Sequence, residues 1–180
     1  VTHEEYATVF EKILKEDKDI LYIACSSALS GSFNYSLIVK DELLAKYPNA
    51  TIICVDSLCS CLGQGTMALD AANMKKEGKT IQEVASYLEE NKLCYNQIAT
   101  VETLDYLKKA GRVKASAAFF GNIFGVKPMI ISDAAGQNFA IKKVKGRKNS
   151  LVELVNMLKE VIVDPENQTV YVVHADCLED

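Results

Sequence analysis

The stretch Ile20-Leu21-Tyr22-Ile23-Ala24-Cys25-Ser26-Ser27-Ala28-Leu29-Ser30-Gly31-Ser32 decides how the chain folds. Its first five residues form an unbroken apolar run, the pattern of a strand buried on both faces of a parallel sheet. The eight that follow hold four serines and one glycine. From Ser32 to about Lys46 the residues predict a helix, stopped by Pro48. The pattern then recurs: residues 51–55 predict a second buried strand, and residues 61–76 a second helix closed by Gly78. Strand, helix, strand, helix with short links predicts a parallel sheet covered by its crossovers.

Working outward, Tyr6, Val9, Phe10, Ile13 and Leu14 recur at helical spacing behind a Thr2/Glu5 capping box. Thr80 and Glu83 repeat that box ahead of the stripe Ile81, Val84 and Leu88. Near residue 95 the pattern changes. Residues 96–102 predict a strand, residues 103–110 a short helix ended by Gly111, and residues 115–124 an apolar helical segment. Residues 127–132 and 138–145, around the turn Asp133-Ala134-Ala135-Gly136, predict a β-hairpin. Residues 150–162 predict an amphipathic helix and residues 169–174 a final strand. The expected fold class is α/β: a parallel-sheet α/β domain over residues 1–95, then part of an α+β domain with a hairpin over residues 96–180.

Composition bounds the function. The chain of 180 residues is 49% apolar and 24% charged, enough for an ordinary core. A net charge of −4 argues against nucleic acid as a partner, because phosphate binding needs a basic face. No apolar run approaches the roughly 18 residues of a transmembrane segment. The opening Val-Thr-His-Glu-Glu does not read as a signal peptide. The six cysteines fit no secreted disulfide scaffold and read as reduced thiols of a cytoplasmic protein. Only Cys59 and Cys61 are closely spaced, with no histidine nearby, so no metal site is expected.

Four stretches could carry chemistry. Ser26, Ser27, Ser30, Gly31 and Ser32 lie where a parallel strand ends and a helix begins, the place where open α/β sheets bind ligands and where free N–H groups favour an anion. Plain helix capping is the bland alternative, but it needs one serine, not four. Gly63, Gly65 and Ala68 formally match a dinucleotide-binding fingerprint, yet they stand too far from the preceding strand for its tight turn. Arg112, after Gly111, could cap a helix end or face an anion. The apolar run through Phe119, Phe120, Ile123 and Phe124 reads either as core or as the lining of a pocket for a long apolar ligand. The alternating basic residues after Ile141 read as a solvated strand face, although a partner protein or a phosphate group could use them. His3 and His174 are near no serine in sequence, and there is no nucleophile elbow or Walker loop.

Taken together, residues 26–36 (SSALSGSFNYS), 55–65 (VDSLCSCLGQG), 103–113 (TLDYLKKAGRV) and 121–130 (GNIFGVKPMI), with the hairpin at Gly136, resemble the DegV family of bacterial fatty-acid-binding proteins in order and spacing. The resemblance implies a two-domain lipid carrier, not an enzyme, that holds one long-chain fatty acid in a tunnel between its domains. It makes Ser30 of Leu29-Ser30-Gly31 the carboxylate-binding serine, with Gly31 and Ser27 beside it and Arg112 near the carboxylate. Phe119, Phe120, Ile123, Phe124 and Ile130 would line the acyl tunnel. The bound acid would be presented to a separate fatty acid kinase, with no cofactor and no metal in the carrier. Ser32 stands where the family commonly has threonine and keeps the hydroxyl. Family members are longer at both ends, so the chain is expected to be a fragment. A threonine contact and a late histidine would lie in the missing parts, and His174 is not expected to be that histidine.

A fatty acid suits these residues. Each buried methylene contributes about 0.8 kcal/mol, while a buried carboxylate needs hydrogen bonds or a countercharge. The competing expectation is a hydrolase of a lipid or acyl ester using Ser27 or Ser30, which requires a histidine within hydrogen-bond reach.

Overall fold

The computed structural model describes residues 2–116, 119 and 125–177. They form two compact units, Val1–Tyr95 with Ala134–Gly136, and Asn96–Asp133 with Gln137–Asp180.

The first unit is built on two parallel strands, β1 (Ile20–Ala24) and β2 (Ile52–Asp56), paired from Ile20 opposite Ile52 to Ala24 opposite Asp56. Successive side chains of a strand point to opposite faces, so each strand feeds two cores. Ile20, Tyr22, Ile52 and Cys54 pack with Tyr6, Phe10 and Leu14 of α1 (His3–Leu14) and with Val39 and Leu43 of α2 (Ser32–Lys46). Leu21, Ile23, Ile53 and Val55 pack on the other side with Met67 of α3 (Cys61–Lys76) and with Val84 and Leu88 of α4 (Ile81–Asn91). Burial on both faces is why these strands are apolar throughout rather than alternating.

Both capping boxes form. The Thr2 hydroxyl accepts from Glu5 N while the Glu5 carboxylate accepts from Thr2 N at 2.6 Å, and Thr80 and Glu83 do the same at 2.7 Å. Glu11 ties α1 to the end of α2: its Oε1 accepts from the Lys46 ammonium and from the Tyr47 hydroxyl at 3.1 Å. These bonds, with Lys15, hold the Glu11 carboxyl down at about 2.

The second unit holds an antiparallel sheet ordered β3 (Ile98–Thr100), β4 (Val126–Ser132), β5 (Asn138–Lys145). The strands β4 and β5 are the expected hairpin, with a bulge at Met129/Ile130. Pro128 is tolerated in the middle strand because the β3 ladder ends with Thr100 opposite Met129, and the Pro128 carbonyl instead accepts from the Thr100 hydroxyl at 3.0 Å. Lys114 bridges to Phe139 in parallel, extending the sheet beyond β5. The short helix α5 (Asp105–Lys109) ends in a Schellman motif, with Gly111 N bonded to Lys108 O, Arg112 N to Leu107 O, and Gly111 at φ +69°. The helix α6 (Arg147–Val161) starts three residues before the expected Ser150, whose hydroxyl donates back to Arg147 O at 2.7 Å.

One expectation is corrected. Residues 169–174 are not a strand: Val170, Tyr171, Val172 and Val173 are all exposed. A β-branched run becomes a strand only with a neighbour to complete its ladder, and none is present among the described residues. The predicted apolar helix over residues 115–124 falls mostly outside the described residues.

Candidate functional site

The serine loop sits where it was expected, between β1 and α2, and its shape is set by backbone bonds that converge on one residue. Ser26 O accepts from Leu29 N at 2.9 Å and from Ser30 N at 3.0 Å. Ser26 N donates to Cys59 O at 2.8 Å, tying the loop to the segment after β2. Asp56, at the end of β2, is directly opposite Ala24. Its Oδ1 therefore reaches Ser27 N at 3.1 Å and Leu58 N at 3.2 Å. These two bonds hold one oxygen of a carboxylate that is 9% exposed.

The candidate residues divide by what they have left to offer. Ser27 and Gly31 are exposed, and the amide of Ser27 is committed to Asp56. Ser30 Oγ accepts from Ser32 N at 3.2 Å, which leaves its own O–H to donate. The Ser32 hydroxyl oxygen is buried, and its polar neighbour is the Tyr22 hydroxyl. Ser30 and Ser32 thus bring two hydroxyls to the first turn of a 15-residue helix, whose N–H groups carry partial positive charge.

In the second unit, Arg112 is exposed and its guanidinium donates to Ala110 O, the capping role. Its carbonyl accepts from Asn138 Nδ2 at 3.1 Å, which fixes the backbone against β5. Ile130 is buried with Leu104, Val113 and Ala140, and Phe119 packs against that cluster with the Lys143 ammonium 5.3 Å from its ring centre. Phe120, Ile123 and Phe124 lie outside the described residues.

The competing chemistries find little. Gly63 and Gly65 lie inside α3, not in a strand-to-helix turn, so the dinucleotide fingerprint lacks its geometry. His3 Nε2 pairs with Glu42 at 2.9 Å, and His174 Nδ1 accepts from Cys177 N at 3.2 Å. Burial, with the charges of Cys25 and Asp56 behind it, pushes the Cys59 thiol up to about 11. It is a protonated donor to Tyr95 O at 3.3 Å rather than a nucleophile. No group of three metal-ligating side chains occurs among the described residues, and no described helix is long and apolar enough to cross a membrane.

Sequence reasoning missed Asp56 as a partner of the serine loop and Gly136 as its neighbour. The signal for Asp56 was available: an acidic residue ending the adjacent parallel strand. For Gly136 there was none.

A mixed α/β fold with a hydroxyl-rich loop at the carboxyl end of its first strand has that loop where open α/β sheets place their ligand crevices. The chain belongs to the DegV family: the family model described as "uncharacterised protein, DegV family" matches residues 1–180. A DegV domain-containing protein of Clostridium perfringens is 46% identical over 175 residues, covering 97% of this chain and 60% of the relative. A stearic acid-binding protein from Eubacterium ventriosum superposes with a TM-score of 0.78 at 26% identity, covering 92% of this chain and 56% of that one. The fatty acid kinase B3 protein of Streptococcus pneumoniae, loaded with linoleic acid, has a TM-score of 0.74 over 89% of this chain and 56% of its own; at 20% identity this likeness is one of fold. The chain therefore spans a little over half the length of the proteins it matches.

Proposed function

We propose that the protein binds one long-chain fatty acid in a tunnel between its domains. It presents the carboxylate to a separate fatty acid kinase, which forms the acyl phosphate. The protein is a carrier, brings no phosphoryl chemistry of its own, and works in the cytoplasm beside that kinase. Ser30, with Ser27 and Gly31, takes the carboxylate, Arg112 supplies the countercharge, and Phe119, Phe120, Ile123, Phe124 and Ile130 line the acyl chain.

The observation that carries this reading is Ser30 Oγ. It accepts from the first turn of α2 and keeps its proton for an anion at the helix's positive end. Family membership and a stearic acid-binding relative supply the acyl chain. The kinase partner rests on the family resemblance. A serine hydrolase is less well supported, because each histidine is paired away from the serines.

The test begins with mass spectrometry of an organic extract of the purified protein, where one stoichiometric fatty acid is expected. Titration of the delipidated protein with stearic acid follows. Ser30→Ala weakens binding by about tenfold to a hundredfold, the loss of one hydrogen bond to a charged group. Unchanged affinity in both Ser30→Ala and Arg112→Ala overturns the site.

A further inference from the structure

We propose that Ser26 is the positioning residue of the carboxylate loop, and that it is held in place by the hairpin tip at Gly136. This rests on the fatty-acid reading and deepens it: the groups that would touch the acid are aimed by a buried residue that does not.

Three loops of the first unit interlock here. Ser26 is fully buried, so it cannot itself meet a ligand. Its hydroxyl donates to Gly136 O at 2.8 Å and accepts from Ala28 N at 3.3 Å. Its carbonyl takes the amides of Leu29 and Ser30, and its amide goes to Cys59 O. Three successive amides of the loop, 28 to 30, thus terminate on one residue, and the Gly136 carbonyl selects that residue's rotamer.

The hairpin tip is fitted to this arrangement. A Cβ on Gly136 would stand 2.2 Å from Ser26 Oγ and 2.8 Å from Leu58 Cα, and Gly136 has φ +73°. Space and backbone conformation each independently require glycine. Leu58, the other wall, holds φ +54°, a left-handed conformation that a bulky residue adopts only when its surroundings impose it. What imposes it is Asp56, whose Oδ1 takes both Leu58 N and Ser27 N. The loop carrying Ser27 and Ser30, the loop after β2 and the hairpin tip share buried bonds, so none can shift alone.

Removing the Ser26 hydroxyl strands the Gly136 carbonyl in a buried setting and the Ala28 N–H in a part-buried one. The loop relaxes around them, and Ser30 loses its aim at the carboxylate while the apolar lining is untouched. The readout is therefore the preference for an acid over its alcohol. Stearic acid and stearyl alcohol are titrated against the delipidated wild type, Ser26→Ala, Gly136→Ala and Ser30→Ala. Ser26→Ala and Gly136→Ala should each lower affinity for the acid by about tenfold and leave the alcohol's affinity unchanged, an outcome that mere loss of stability does not produce. If Ser30→Ala collapses the preference and folded Ser26→Ala keeps it, the positioning role is wrong. If Ser30→Ala keeps it as well, the carboxylate site itself is wrong and both readings fall.

A measurement on the wild type covers the case in which the variants do not fold. On adding stearic acid, hydrogen exchange should slow together in residues 26–30 and 134–137. Slowing in the serine loop with the hairpin tip unchanged overturns the proposal.

Discussion

Gly136 and Gly111 both have positive φ, yet their surroundings differ. A Cβ at Gly111 meets nothing within 4 Å, whereas one at Gly136 collides with Ser26 and Leu58. Gly111→Ala should therefore cost only the left-handed strain, about 1–2 kcal/mol. Gly136→Ala adds the collision and should cost clearly more than Gly111→Ala in urea denaturation. Equal losses would mean that the tip simply moves away. The two glycines also differ in legibility. Gly111 follows a predicted helix and announces a Schellman end by local rules. Gly136 reads locally as a turn residue, and its close approach to Ser26 leaves no mark on the sequence around it. Arg112 lies between these cases: both its uses were visible, and the structure assigns the guanidinium to Ala110 O while its carboxylate role stays a proposal.

At the scale of elements, the helix starts were the most legible features, because a capping box is a four-residue pattern. Thr80→Ala should cost about 1 kcal/mol, seen as a lowered urea midpoint with an unchanged m-value. The staple between α1 and α2 predicts a pH dependence. Glu11 is held below its ordinary 4.5, down to about 2, by Lys46, Lys15 and Tyr47. A carboxylate depressed on folding contributes stability that is complete above its unfolded value and lost as pH falls through the folded one. The contribution of Glu11 should thus fade between about 4.5 and about 2. The melting temperature of Glu11→Gln should fall less steeply than that of the wild type across this window; parallel curves would remove Glu11 from the acid response. Residues 169–174 teach the opposite lesson from the capping boxes. Their run of β-branched residues predicts a strand that does not form, because a strand also needs a partner, which lies outside any local pattern.

At the scale of the whole molecule, the fatty-acid reading makes a graded prediction. If the acyl chain is buried in an apolar tunnel, each added methylene should tighten binding by about 0.8 kcal/mol, roughly fourfold, until the tunnel is full. A series of saturated acids measured by calorimetry should fall on that slope and then level off. A flat series would mean that the carboxylate alone is recognised. The sequence by itself determined the parallel βαβ frame, the hairpin, most helix boundaries and the position of the serine loop between β1 and α2. All of these follow from periodicity, capping and turn chemistry within a few residues. Only the tertiary structure decided that Asp56 takes the Ser27 amide and that Ser26 bonds to Gly136, a residue 110 positions away. The reason is physical: a buried polar group must find a partner, but which partner reaches it depends on how separate elements pack.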